Sequence, residues 1–247
     1  MNSDRFFKEG TVISIAQGSL YTLLYDAQHF GFLKNGKPNL SGFLNALLPA
    51  LAAMRNDMHQ RYLDKFENEA DARKVENGIY DIYLSTFDVG DDSLTKIPLR
   101  INKGSQKAFM DIHDHDLEKY GMDFSPFLKS LIDEYSMRAL YQREECFYWQ
   151  YLSALRKAID GETSLTVHLS NGEKEIFPCT LEISPITNSC HLFGLDHEGK
   201  DPIEIPLASV LHMKEGSKTH SYSQQEYDLV SEKIKKYWDD EEKEYVR

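Results

Sequence analysis

The densest run of chemistry-bearing side chains in this sequence is Asp111-Ile112-His113-Asp114-His115-Asp116. A histidine-aspartate doublet ligates divalent metal in phosphohydrolases, where further ligands come from other helices. Here the polar residues follow one another on an expected helix and point in different directions. The spacing therefore predicts a solvated helix face and no metal site. Lys96 and Arg100 share one face of an expected strand, opposite Ile97, Leu99 and Ile101. On a short exposed ribbon such residues project away from the core and can enter the major groove of DNA; on an ordinary sheet they form a solvated face. His168, His191 and His212 lie on three different expected strands; their convergence depends on the register, and scattered sheet histidines are usually structural or solvated, so no metal site is expected there. No nucleophile elbow and no glycine-rich phosphate loop is present, so the expectation is a chain that binds rather than catalyses, with no cofactor.

These residues need elements to hold them. Ser19–Tyr25 reads as a short strand, Asp26–Phe32 as a short helix, and Lys34-Asn35-Gly36-Lys37-Pro38 as turn chemistry. Asn39 or Ser41 then caps a helical pattern through Phe43, Leu44, Leu47, Leu48, Leu51 and Met54, which Pro49 should kink or end. Arg61–Glu76 is charged and suits a linker helix. A similar order recurs. Lys96–Ile101 alternates as a strand, and Asn102 caps a helix through Ala108, Phe109 and Ile112. After Gly121, Ser125-Pro126 starts another helix that buries Phe127, Leu128, Leu131, Ile132 and Tyr135. A third helix runs from about Tyr141 to Ile159. Strand-helix-helix thus occurs twice at a spacing of roughly 75 residues, as in a divergent duplication.

Beyond Gly161 the period changes to two. Thr163–Ser170 and Glu175–Ser184 flank the hairpin turn Asn171-Gly172; Cys190–Leu195 and Pro202–Met213 follow. This predicts a small antiparallel sheet. A closing helix is capped by Ser223 with Glu226 at the capping-box distance, and carries the stripe Tyr227, Val230, Ile234, Tyr237.

Composition narrows the function classes. The 247 residues are 41% hydrophobic, enough for real cores, and carry a net charge of -12, which speaks against a surface that grips phosphate everywhere. Residues 1–63 hold six bases (Arg5, Lys8, Lys34, Lys37, Arg55, Arg61) against four acids (Asp4, Glu9, Asp26, Asp57), a local balance of +2 that leaves -14 for the rest. A phosphate-binding face is therefore expected in the N-terminal part. Cys146, Cys179 and Cys190 form no CxxC pair, which fits a reducing cytosol. The N-terminus lacks the apolar run of a signal peptide, and no stretch is long and apolar enough to span a bilayer; the expected location is cytoplasmic.

The stretch Leu23 to Gly36, followed by Phe43-Leu44-Asn45, resembles the first ribbon-helix-helix unit of WYL-domain proteins from Gram-positive bacteria, and Leu99-Arg100-Ile101-Asn102 through Tyr135 and Arg143-Glu144 resembles the second. The chain also resembles the WYL accessory proteins of type VI-D CRISPR systems, which modulate an RNA-guided RNase and bind single-stranded RNA. The resemblance covers about residues 19–240 and implies a small SH3-like or Sm-like barrel, the WYL module. The tripeptide that names it maps to Cys190-His191-Leu192, trailed by Asp196, with Pro178 as the preceding proline; tryptophan and tyrosine are replaced. The arginines that usually follow fall at Pro206 and Ser209. The resemblance implies His191 and Ser209 as positions of the ligand site.

The expected fold is α+β: tandem ribbon-helix-helix-like units over residues 1–160, then a WYL-like barrel with a terminal helix over 161–247. Pairing of Ser19–Leu24 with Lys96–Ile101 would complete the ribbon. The expected function is a transcriptional or CRISPR-associated regulator that binds DNA or single-stranded RNA. Thr22, Lys96 and Arg100 would face the groove, and Lys34 and Lys37 the backbone phosphates. The alternative is a protein-protein adaptor or homodimeric scaffold, with a CRISPR effector protein as a possible partner.

Overall fold

Four of the six residues Thr11–Ala16 are β-branched, and this run forms β1, with Ile13 and Ile15 buried and Val12 exposed. The structure is a computed structural model that describes residues 10–66, 68–86, 94–103, 105–106 and 124–245. β1 pairs antiparallel with β4 (Leu94–Leu99) in a two-stranded ribbon, Ser14 opposite Lys96 and Val12 opposite Pro98. The expected pairing of Ser19–Leu24 with Lys96–Ile101 does not form: the partner of Leu94–Leu99 is Thr11–Ala16, upstream of it. Ser19–Leu24 belong to α1 (Gln17–His29), whose buried positions Ser19, Leu23, Asp26 and Ala27 follow helical spacing. The β-rich look of Leu20–Tyr25 is overridden by that period. The Asp111–Asp116 run, the expected break at Gly121 and most of the helix after Asn102 lie outside the described residues.

Lys34 and Lys37 face each other in a minimal hairpin of β2 (Leu33–Lys34) and β3 (Lys37–Pro38), closed by Asn35 and Gly36 with φ of 53° and 73°. Both turn residues sit in the left-handed region that a two-residue type I′ hairpin demands. The next helix, α2 (Leu40–Leu63), is capped by the Asn39 side chain, which accepts from the Gly42 N–H at 3.1 Å. It runs through Pro49 without ending. Proline removes the N–H that would have bonded the Asn45 carbonyl, and that carbonyl instead accepts from Ser105 Oγ at 2.7 Å. The Asn45 side chain donates to the Arg100 carbonyl (3.1 Å) and accepts from the Asn102 N–H (2.7 Å). One residue thereby docks the end of β4 on α2. Asn102 in turn accepts from the Ser105 N–H at 2.9 Å, as an N-cap should.

Beneath the ribbon, α4 (Phe124–Ser136) packs against β1, α1 and α2, with α3 (Glu69–Thr86) against α2. Its face Phe127, Leu128, Leu131, Ile132 and Tyr135 is buried with Leu23, Phe43, Leu44 and Leu47. Ser125 Oγ donates to the Val12 carbonyl at 2.8 Å, fixing the start of α4 on β1. Two buried polar links cross this core: Tyr135 donates to Asp26 at 2.7 Å and Ser19 to Asp133 at 3.1 Å. Arg55, 4% exposed, pairs with Glu134 at 2.8 Å and lies over the Phe127 ring.

The chain divides into Met1–Arg138 and Ala139–Arg247, so the break falls ahead of the expected 160/161. The reason is where the intervening helices pack. The expected helix Tyr141–Ile159 is two, α5 (Leu140–Phe147) and α6 (Trp149–Asp160), meeting at buried Tyr148. Buried Glu144 accepts the Cys190 N–H, Tyr148 donates to the Val210 carbonyl at 2.7 Å, and Leu152, Leu155 and Ala158 are buried. Burial, with the Glu144 carboxylate, pushes the Tyr148 phenol and the Cys190 thiol far above their ordinary values.

The sheet of the second unit has the strands β5 (Thr163–Leu169), β6 (Gly172–Ile183), β7 (Cys190–Asp196), β8 (Pro202–Pro206) and β9 (Val210–Thr219) in the order β8-β7-β6-β5-β9, all antiparallel. The single strand expected over Pro202–Met213 is two, separated by a 3₁₀ turn at Leu207–Ser209. Among the described residues β8 and β9 do not pair, so the sheet is open where a barrel was expected. The closing helix α7 (Gln224–Tyr245) starts at the expected capping box: Glu226 accepts from the Ser223 N–H at 2.7 Å. Val230 is buried against Phe177, Phe193 and Leu195, with Ile234 and Tyr237 alongside.

Two outcomes follow from these contacts. A Cβ at Gly194 would stand 2.1 Å from the Phe177 carbonyl oxygen, where β6 bulges past β7. Gly194→Ala should cost about 2–3 kcal/mol in urea unfolding, and an unchanged midpoint would refute this reading of the bulge. Asn45→Ala should cost about 1 kcal/mol and speed amide exchange at Asn102; unaltered exchange there would show that Asn45 does not hold the ribbon's end.

Candidate nucleic-acid interface

The ribbon has two faces because β-strand side chains alternate. Ile13, Ile15, Ile97 and Leu99 point into the core; Val12, Lys96, Pro98 and Arg100 are exposed, with Ser14 half-buried beside them. Directly opposite residues of an antiparallel pair share a face, so the exposed row is Val12–Pro98 beside Ser14–Lys96, with Arg100 just past the strand end. Lys96 and Arg100 therefore lie where the alternation of β4 put them. Thr22 does not join them: it is a half-buried residue of α1, and the expectation that it faces a groove from a strand is corrected. Lys34 and Lys37 are exposed on the hairpin that packs against α1.

Charge singles out this part of the chain. Residues 10–38 and 94–103 contain one acid, Asp26, and it is fully buried under the Tyr135 hydroxyl. The same stretches expose Lys34, Lys37, Lys96, Arg100 and Lys103. In a chain of net charge -12, the described residues of these two stretches expose bases and no acid, the sign that attracts phosphate. Exposed aromatics accompany it. Tyr21 and Tyr25 are 63% and 56% exposed one turn apart on α1, and the Tyr25 ring stacks on His29 at 5.9 Å and 12°. Sequence reasoning missed Val12, Ser14 and Lys103, and the tyrosines as a pair. The first two were hidden by placing the strand at Ser19–Tyr25; the tyrosines show as an exposed stripe only at helical spacing.

In the second unit the expected ligand positions separate. His191 is 4% exposed, with Nε2 2.9 Å from Ser189 Oγ and Nδ1 2.6 Å from Glu204 Oε1. The rings of Tyr237 and Trp238 on α7 stand 5.1 and 5.3 Å from it. Ser209 is exposed and its hydroxyl donates to the Pro206 carbonyl of its own turn at 2.7 Å. His168 and His212 do converge, as direct partners on β5 and β9, while His191 sits on β7. Among the described residues, no group of three or more His, Cys, Asp or Glu side chains could hold a metal ion. Among them too, no helix is long and apolar enough to cross a membrane.

No protein-family model matches the chain, and no curated protein sequence does. A solved structure does: the fold resembles the crystal structure of a CRISPR Cas-related protein with a TM-score of 0.60 over 90% of this chain, at 13% sequence identity. The match takes in 66% of that protein, so the chain spans just under two thirds of its length. At this identity the likeness is one of fold.

Proposed function

We propose that this chain is a CRISPR-associated or transcriptional regulator that acts by binding nucleic acid, not by catalysis. In this reading the first unit is ribbon-helix-helix-like, with β1 and β4 as the ribbon over α1, α2 and α4. The second is a WYL-type unit whose five-stranded sheet stays open between β8 and β9, with a 3₁₀ turn joining them. The observation that carries the proposal is the set of exposed bases Lys34, Lys37, Lys96, Arg100 and Lys103 on two stretches whose described residues expose no acid, in an otherwise acidic chain. The fold likeness to a CRISPR Cas-related protein supports the same setting.

The ribbon's outer row offers Ser14, Lys96 and Arg100 as polar groups that reach base edges or phosphates, and Val12 and Pro98 as apolar contacts. The α1 face offers a different chemistry. Tyr21 and Tyr25 can each stack a base of a single strand, with Lys34 and Lys37 for its backbone. Net charge favours a second reading, a protein-protein adaptor, because an acidic chain repels phosphate over most of its surface.

Salt dependence separates the two. Binding to duplex DNA and to single-stranded RNA, measured by fluorescence anisotropy across salt concentrations, should weaken steeply as salt rises. Lys96→Ala/Arg100→Ala should flatten the log–log slope by about two for whichever ligand uses the ribbon. No binding of either ligand at low salt would leave the adaptor reading in its place. For single-stranded RNA, Tyr25→Ala should weaken binding about tenfold, the worth of one stacked base; equal losses on duplex DNA would show that the tyrosine does not act by stacking.

A further inference from the structure

Asparagine followed by glycine is the pair of residues most prone to modify itself, and this sequence has three: Asn35-Gly36, Asn77-Gly78 and Asn171-Gly172. With no side chain on the second residue, its backbone nitrogen can approach the asparagine Cγ. That nitrogen loses its proton to hydroxide and bonds to Cγ. The Cγ–Nδ2 bond breaks, and the amide nitrogen leaves as ammonia with a proton from water. A second water opens the cyclic imide at either carbonyl, which leaves aspartate or isoaspartate.

The fold holds the three pairs differently. Asn77-Gly78 lies within α3, where each N–H is bonded to a carbonyl of the preceding turn. Asn171-Gly172 closes the hairpin of β5 and β6, strands of 7 and 12 residues that β9 and β7 flank in turn. Gly172 is itself paired there, opposite Leu169. Asn35-Gly36 closes the hairpin of β2 and β3, which have two residues each and pair only with one another among the described residues. A ladder that short opens at little cost. Asn35 and Gly36 are both exposed, and a Cβ on Gly36 would meet nothing within 4 Å. The cross-strand pair is Lys34 with Lys37, so the Gly36 nitrogen lies in the turn and outside the ladder.

We propose that Asn35 is a site of spontaneous deamidation, and that the carboxylate formed there weakens nucleic-acid binding by standing between Lys34 and Lys37. The second half rests on the nucleic-acid reading of this surface. Residues 10–38 expose no acid, so the new charge opposes every neighbour on that stretch. Isoaspartate also adds a backbone carbon to a turn whose two residues hold φ of 53° and 73°, which spoils the two-residue geometry.

The test is peptide mapping by mass spectrometry after the full chain has stood at mildly alkaline pH, with single-stranded RNA binding measured on the same samples. Asn35 should convert ahead of Asn171 and Asn77, and faster as pH rises, because hydroxide removes the Gly36 proton. Asn35→Gly, which keeps the turn, should hold its binding over the incubation. Asn35→Asp should reproduce the loss seen in aged wild type, with a log–log salt slope lower by about one. Asn35 still intact when Asn171 or Asn77 has converted, or when a free Asn-Gly peptide has, would overturn the deamidation site. Conversion with unchanged binding would overturn its effect. Wild type that binds no RNA when fresh would remove the nucleic-acid reading and that effect together, while the mapping decides the site by itself.

Discussion

The pairing of β1 with β4 is the constraint on which the first unit depends. A two-stranded ribbon is marginal by itself and needs an apolar layer beneath it. Here Ile13, Ile15, Ile97 and Leu99 supply the underside, and α4 with α1 and α2 supplies the layer. Because the side chains alternate, burying that set forces Val12, Lys96 and Pro98 to the outside. The exposed row is the obligatory reverse of the core face. The polar links hold the same geometry: Ser125 fixes α4 to β1, and Asn45 fixes the end of β4 to α2 through the carbonyl that Pro49 leaves open.

Much of this was legible in the residues, and the failures have identifiable causes. Lys96–Ile101 alternates cleanly, so its inward and outward faces were read correctly. Ser19–Tyr25 misled because Leu20-Tyr21-Thr22-Leu23-Leu24-Tyr25 favours a strand locally, whereas the helical face beneath it includes Asp26. A buried carboxylate is not expected from pattern alone; it is acceptable here because Tyr135, 109 residues away, donates to it. Pro49 was read as a kink or a stop, since the partner that satisfies the orphaned carbonyl, Ser105, is also remote in sequence. In the second unit the hairpin turn, the capping box and four strand regions were visible, but the 3₁₀ turn that splits β8 from β9 has no strong punctuation in Leu207-Ala208-Ser209.

The two units divide the chemistry. The first presents base and aromatic groups with no exposed acid between residues 10 and 38 or 94 and 103. The second fills the position where the WYL resemblance implied a ligand: His191 has Ser189 and Glu204 at its two nitrogens and aromatic rings of α7 beside it. Position was legible there and surroundings were not, because Tyr237 and Trp238 arrive from the far end of the chain. His168 and His212 are partners on β5 and β9, apart from His191 on β7.

The central claim is that the outer face of the ribbon and the adjoining α1 surface meet nucleic acid. Residue-resolved NMR titration of the full chain with a short duplex and with a single-stranded RNA tests it most directly. The account predicts the largest shifts at Val12, Ser14, Lys96 and Arg100, or at Tyr21, Tyr25, Lys34 and Lys37 for the single strand. Shifts concentrated on the sheet of the second unit, with these residues unmoved, would contradict it.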